Sequence, residues 1–502
     1  MTEAMHESAP TSYGQILRSS SIIGGTNAIN YLVGLVRIKV VAVLLGPTGV
    51  GLISLYTSAT ALIGTVSGLG LASSGVREVA RAYSDGDPVE AARTVRILRR
   101  LCWATGLLGW LLAIGLARPL SQWLFNSPEH AMAIALLGAT LLFGAVGGGQ
   151  LAILQGMRRI GDLARITVIA MLLNTGVTIA LYAWLREQGI VPVLVATSLV
   201  SLGVSWWFVR RVPVPPVSLT WPGTLAGTRQ LAGLGLAFMW AALLTTGLDM
   251  ATRAIIVREH GLDAAGLYQA AWALSGMFAG FILGAMGADF YPRLTAAIRD
   301  REQAVRLVNE QTEIGILLAL PGLLVTLALA PLIVRLVYSE DFLPAAGLLP
   351  WLLTGVFLRV VSWPLGFIQL AKGSGRWFAA TETTFIGIQL GLVYWLVPAF
   401  GIMGAAVAFA IIYVLHTAAM LVVGRILIGF FWSPGVIQLL LASVLFWLVA
   451  MTLSITTTGW KGMLFGAVLA MVCALVSLRG LSARLGGDPR WLMHLKRHLT
   501  AR

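Results

Sequence analysis

Runs of about 20 consecutive apolar residues recur along this whole chain, and few folds can hold them. A helix of that length crosses about 30 Å of hydrocarbon. Backbone groups in hydrocarbon must find their partners within the segment, so each run reads as a membrane-spanning helix. Fourteen candidate spans result, at about 14–45, 48–76, 101–125, 130–156, 163–185, 189–209, 230–257, 263–291, 312–338, 344–371, 377–398, 401–424, 433–454 and 460–478. Composition agrees. Of 502 residues 58% are apolar and only 11% charged, with a mean hydropathy of +0.85, where a soluble chain carries about a quarter charged. The expected class is an all-α polytopic membrane protein. The first run begins near Ile16, after a segment with neither the basic start nor the cleavage site of a signal peptide, and is expected to stay in the membrane.

The net charge of +14 would suggest an acidic or nucleic-acid partner in a soluble protein. Here the basic residues sit in short connections and form no domain or long arm, so no nucleic acid is expected. The even-numbered connections carry about 19 Lys and Arg, among them Arg77, Arg81, Arg93, Arg96, Arg99 and Arg100 after the second span. The alternate connections hold about five: Arg118, Arg186, Arg258, Arg335 and Lys461. The positive-inside rule then places the even connections and both termini in the cytoplasm, and Arg484, Arg490, Lys496 and Arg497 in the tail agree. Cys102 and Cys473 fall inside apolar runs and read as small core residues.

An internal repeat organises the chain. "LGPTGVGL" (Leu45–Leu52) matches "HGLDAAGL" (His260–Leu267), and "VRIL" (Val95–Leu98) matches "VRLV" (Val305–Val308). Pro119 matches Pro331, Gln155 and Gly161 match Gln369 and Gly375, and "LREQGI" (Leu185–Ile190) matches "VPAFGI" (Val397–Ile402), all at an offset of about 210 to 215. The expected layout is a cytoplasmic N-terminus (1–13), two pseudo-symmetric six-helix bundles (14–210 and 229–425) joined by a Pro-rich linker (211–228), two extra helices (426–480) and a basic tail (481–502). Parallel six-helix repeats place a substrate path at their interface, which points to alternating access.

No phosphate-binding G-x-x-x-x-G-K-[ST] run, metal-ligand cluster or hydrolytic nucleophile–base arrangement is present. The informative residues are charges inside spans, each costing about 2.5–3.5 kcal/mol at a helix centre on insertion scales. Asn27, Asn30, Gly34 and Arg37 share one face of the first span, within about 80° on a helical wheel, while Lys39 faces elsewhere. Thr245, Thr246, Asp249 and Arg253 share a face of the seventh, where Asp249 and Arg253 stand four apart and can pair. Arg253 follows Arg37 by 216 positions, close to the repeat offset, so each half is expected to supply one arginine. Arg359 in the tenth span has no local partner, and Glu382 in the eleventh is placed to pair with it. Asp289 reads as interfacial and His416 as a packing histidine. Guanidinium groups suit phosphate, so Arg37, Lys39, Asn30, Arg253 and Arg359 are the expected substrate-binding set. Asp249 and Glu382 are expected to serve coupling or charge pairing.

The stretches Val36–Ala80 ("VRIKVVAVLLGPTGVGL…SSGVREVA") and Gly355–Phe409 ("GVFLRVVSWPLGFIQLAKGSGRWFAATETTF…AVAF") resemble the first two and the tenth to twelfth helices of Wzx-type O-antigen and enterobacterial common antigen translocases. These belong to the multidrug/oligosaccharidyl-lipid/polysaccharide (MOP) exporter superfamily. The resemblance implies two six-helix halves around a V-shaped cationic cavity. It also implies flipping of an undecaprenyl-diphosphate-linked oligosaccharide from the cytoplasmic to the periplasmic leaflet of the bacterial inner membrane. Lys39, Arg359, Lys372, Arg376 and Glu382 fall where similar residues stand in that family, and Arg253 does so less closely. The extra helices are similar in number to those of the lipid II flippases. The resemblance further implies a transporter rather than an enzyme, with no cofactor beyond a proton or sodium gradient. Membrane lipid, a polysaccharide polymerase and a chain-length regulator are the implied partners. A cation-coupled multidrug exporter and a polysaccharide polymerase are the alternatives.

Overall fold

The computed structural model describes residues 12–217, 220–456 and 459–484; the segment 1–11 and the tail residues Arg490, Lys496 and Arg497 lie outside them, as does the side chain of Asn27. Among the described residues every regular element is a helix. The chain divides into two compact units, Met1–Arg258 and Glu259–Arg502.

Among the described residues, eleven helical runs are long and apolar enough to cross a membrane. Three of them, Ile29–Gly68, Ile160–Val209 and Met239–Met277, are 39 to 50 residues long. At about 1.5 Å per residue each is long enough for two crossings, so the expected fourteen are accommodated. Large apolar side chains stand exposed along them, including Leu111, Leu441 and Met471. That suits a lipid solvent and is unaffordable in water at this scale.

The first unit contains α1 (Ser12–Gly68), α2 (Leu71–Ser84), α3 (Pro88–Phe125), α4 (Ala131–Gly156), α5 (Ile160–Leu185), α6 (Ile190–Val209) and the start of α7 (Trp221–Ala297). Helix α4 lies at its centre and packs on α2, α3 and α6, while α1 packs on α5. Small residues permit the α3–α4 approach: a Cβ on Gly149 would strike Sγ of Cys102, and one on Gly138 would overlap Trp110. Cys102 is therefore a packing thiol, as expected, and both cysteines are free and buried.

The second unit continues α7 and adds α8 (Arg301–Ala328), α9 (Ala330–Val337), α10 (Leu349–Ala371), α11 (Gly375–Phe400), α12 (Ile402–Ile428), α13 (Pro434–Thr456) and α14 (Trp460–Arg484). Its core joins Phe290 and Leu294 of α7 to Val308, Leu365, Ile368 and Met420. The expected span 312–338 is broken, because α8 ends at Ala328 and Pro331 opens α9. Both α13 and α14 pack on α8. Asn309 of α8 anchors the approach to α13, donating from Nδ2 to the Phe431 carbonyl at 3.1 Å and accepting from Ser433 N–H at 2.8 Å.

The repeat is written in the backbone. Helix α1 bends at Gly46 (φ 63°, ψ −172°) and α7 at Gly261 (φ 83°, ψ 178°), 215 positions later. This region is essentially closed to residues with a Cβ. Left-handed turns recur at the same spacing at Arg158 and Gly373 and at Arg186 and Gly401. Asp87 and Asp300 each cap a helix, accepting from backbone N–H groups at the second or third following position, with Glu90 or Gln303 at the capping-box position.

These matches correct four sequence pairings. Gly375 opens α11 opposite Ile160, which opens α5, not opposite Gly161. Gly401 corresponds to Arg186, not Gly189. The turn bonds from Arg159 N to Leu154 O and from Ser374 N to Gln369 O place Gln369 opposite Leu154, not Gln155. Counted from the bends, Arg37 stands opposite Thr252, so Arg253 is one position out of register and about 100° round the helix. Letter matching follows side-chain identity, whereas the fold repeats positive-φ positions and caps.

Replacing Gly46 or Gly261 with alanine should cost about 1–3 kcal/mol through backbone strain. At both sites an added Cβ meets nothing, so packing does not confound the measurement. Melting in detergent should drop for both, while Gly115→Ala in α3, which also meets nothing, should raise it slightly, alanine being the better helix former. Asn309→Ala should cost about 0.5–1.5 kcal/mol by removing its part-buried bonds to the Phe431 carbonyl and Ser433 N–H, seen as a lower melting temperature.

Candidate functional site

Charge in a lipid-facing helix is costly, so the site is built from where these side chains go. In the first unit, Asn30 and Arg37 stand seven positions apart on α1 and line a cavity of about 600 Å³. Its other walls come from α4 (Phe143, Gly144, Gly148), α5 (Asn174) and α6 (Thr197, Ser201). Asn174 Nδ2 donates to Ser201 Oγ at 2.9 Å, and Ser205 Oγ donates to Gln150 Oε1 at 2.5 Å. Among the described residues the lining contains no carboxylate. The polar stripe expected on α1 thus faces a cavity through Asn30 and Arg37, while Lys39, partly buried, is not among its lining residues.

Arg253 on α7 is buried, with 7% of its surface exposed. Its Nη1 donates to the Asp249 carbonyl at 2.9 Å and stands 4.0 Å from the Asp249 carboxylate. The expected pair is therefore present, though held more closely by the backbone than by the carboxylate. The hydroxyls of Thr245 and Thr246 bond the Ala241 and Ala242 carbonyls of their own helix.

In the second unit, Arg359 of α10 acts electrostatically on Glu382 of α11 and on Tyr413 and His416 of α12. Its guanidinium carbon lies 6.0 Å from the Tyr413 ring centroid. Among the described residues Arg359 and Glu382 form no ion pair at contact distance, so they are neighbours rather than a closed bridge. His416 Nδ1 hydrogen-bonds Ser362 Oγ at 3.2 Å and sits edge-on to Phe385 and Tyr413. It packs, as expected, yet it packs inside the charged cluster. Lys372 and Arg376 are exposed at the α10–α11 turn, apart from that cluster along the helices. Asp289 is exposed and bonds Arg293 at 3.0 Å, in keeping with an interfacial residue. No metal-binding group of His, Cys, Asp or Glu occurs among the described residues.

Sequence reasoning missed Asn174, Ser201 and Gln150 in the first unit and Tyr413 in the second. A single amide in "MLLNTGV" was the available signal.

Comparison with known proteins agrees with this architecture. Residues 40–347 match the profile of a family described as "Polysaccharide biosynthesis protein". Over 389 residues the chain is 24% identical to the lipid III flippase of Escherichia coli (strain K12), covering 76% of this chain and 92% of that one. Among solved structures, the lipid II flippase MurJ in an inward closed conformation aligns with a TM-score of 0.68 at 13% identity, over 92% of this chain and 99% of that one. An inward-facing multidrug resistance MATE family transporter of the MOP superfamily aligns with a TM-score of 0.65 at 17% identity, over 80% of this chain and 94% of that one. Such identities carry the fold, and the profile, which spans more than half of the chain, carries the family. The chain is a member of the polysaccharide biosynthesis protein family, built on the fold of the MOP-superfamily transporters.

Proposed function

We propose that this protein is a flippase that carries an undecaprenyl-diphosphate-linked oligosaccharide from the cytoplasmic to the periplasmic leaflet of a bacterial inner membrane. The observation that carries the reading is a cavity in a membrane-embedded unit whose lining, among the described residues, holds an arginine and no carboxylate. A guanidinium in a low-dielectric site favours an anion and matches phosphate oxygens with paired donors. A drug-cation exporter needs acidic groups facing its cargo, and none is among the described residues that line this cavity. The lipid III flippase of Escherichia coli, similar over 92% of its length, supports the same substrate class.

In this reading Arg37, Arg253 and Arg359 meet the diphosphate, with Lys39 contributing charge from α1. The polyprenyl tail stays in lipid while the sugars travel in water-filled space. The two repeat halves, 14–210 and 229–425, alternate between inward and outward openings, with both termini cytoplasmic. A proton or sodium gradient resets the cycle through Asp249 or Glu382. The product passes to a polysaccharide polymerase working with a chain-length regulator.

The test is complementation of a strain lacking this protein and any second flippase. Arg37→Ala, Arg253→Ala and Arg359→Ala should each cut surface polymer at least about tenfold, the effect of losing one charged hydrogen-bonding contact of about 1.5–3 kcal/mol, with unchanged protein in the membrane. Normal polymer in all three would refute the assignment. Glu382→Gln should lower the turnover rate while leaving substrate binding intact, read in vesicles with and without an imposed gradient. An unchanged rate and gradient dependence would remove Glu382 from coupling.

A further inference from the structure

The first unit has a second opening, a groove of about 530 Å³ that the binding of cargo does not use. Its floor is α4, through Val146, Gly149 and Gln150, and its walls are α3 and α6. Arg99 and Trp103 come from α3, and Trp206 and Arg210 from α6. In each wall the arginine and the tryptophan stand four positions apart, one above the other on one helix face. Helix α3 begins and α6 ends on the side of the even-numbered connections, so both arginines lie at the same end of the unit. The positive-inside rule makes that end cytoplasmic. Further in, Leu199 and Leu202 leave the groove apolar. Trp103, Leu199 and Trp206 are each about half exposed, so the groove opens on a face whose solvent is lipid.

A wall divides this groove from the Arg37 cavity. Ser205 lines the cavity, Gln150 lines the groove, and the Ser205 hydroxyl donates to Gln150 Oε1 between them. Both residues are buried.

The charge of the groove is unspent. At the same end of the unit Arg77, Arg93, Arg159 and Arg165 each meet a carboxylate, at 2.7 to 3.8 Å. The guanidinium groups of Arg99 and Arg210 have no ion pair or hydrogen bond among the described residues. That of Arg210 lies over the Trp206 ring, 5.0 Å from its centroid, which holds the charge in place without neutralising it. The shape agrees. Gly203 lines the groove on α6, and a Cβ built there meets nothing within 4 Å. Gly149 on the floor is filled by Cys102.

Arginine and tryptophan at span ends anchor many membrane helices. Two such pairs facing each other across an open apolar groove do more, because they offer a phosphate two cations and an acyl chain a bed. Basic pockets between helices on the cytoplasmic side suit anionic headgroups. We propose that this groove holds a resident anionic phospholipid of the cytoplasmic leaflet. Its phosphate meets Arg99 and Arg210, and one acyl chain runs inward past Gly203 and Leu199, bridging α3 to α6. The occupant is bilayer lipid and not cargo, because the groove opens on the lipid face and is walled from the Arg37 cavity. The inference goes beyond the flippase reading and does not rest on it.

The experiment is native mass spectrometry of the purified full-length protein, titrated with dioleoyl-phosphatidylglycerol and, separately, dioleoyl-phosphatidylcholine. The anionic lipid should bind at least about tenfold more tightly. Arg99→Ala and Arg210→Ala should each weaken it about fivefold, and the double variant should remove the preference. Arg93→Ala, which takes away a paired arginine at the same end, should change nothing. Gly203→Leu should weaken binding of the anionic lipid at least about tenfold. Leucine forms helix better than glycine, and an undiminished melting temperature checks that this variant folds. Glycerol 3-phosphate should not compete, and undecaprenyl diphosphate should bind native protein and Gly203→Leu equally well. Equal affinity for the two phospholipids, or a preference that survives both the double variant and Gly203→Leu, would overturn the proposal. Competition by glycerol 3-phosphate would do so in favour of a soluble phosphate. Loss of undecaprenyl diphosphate in Gly203→Leu would do so by giving the groove to the cargo.

Discussion

Hydrocarbon supplies no hydrogen-bond partner, and that constraint shapes most of this molecule. Each backbone N–H and C=O that crosses the bilayer must be satisfied inside its own helix. The chain answers with helices throughout the described residues and departs from helical geometry at few places. Those departures carry information. Gly46 and Gly261 lie 215 positions apart and bend two long helices in the same unusual backbone conformation. The same spacing recurs at Arg158 and Gly373 and at Arg186 and Gly401. A bend needs a residue that tolerates it, and in the second repeat that residue is glycine each time. The first repeat uses arginine at two of the three positions and bears the strain of a side chain at positive φ.

The fold was largely legible because the dominant force is a periodicity of apolar length, and length survives in a single sequence. Helix ends were less legible. The sequence suggests starts near 101 and 312, yet α3 begins at Pro88 and α8 at Arg301. Their polar first turns look like loop to a hydropathy reading, and the capping aspartates Asp87 and Asp300 are the better signal. The Gly-Pro pair at 46–47 marks the bend in α1, but only the backbone reveals that helix continues on both sides.

The site was legible in part. A charged residue in an apolar run stands out because it is costly there, so Arg37, Arg253, Arg359 and Glu382 can be found by inspection. Their partners cannot. Asn174 is an uncharged amide in an apolar helix, and nothing local says that it faces Asn30 and Arg37 from across the unit. Tyr413 looks like one more aromatic residue until Arg359 is seen beside its ring. The expected symmetry of Arg37 and Arg253 fails by one position, which on a helix is about 100° and a different neighbour. Each unit therefore carries its own polar arrangement: a cavity lined by Asn30, Arg37 and Asn174 in the first, and an arginine–carboxylate–aromatic cluster in the second.

The central claim is that this protein moves a lipid-linked oligosaccharide between leaflets, and the location of that lipid tests it most directly. In a strain lacking this protein and any second flippase, the account predicts undecaprenyl-diphosphate oligosaccharide accumulating on the cytoplasmic leaflet, with surface polymer lost. A normal leaflet distribution with normal polymer in that strain would contradict it.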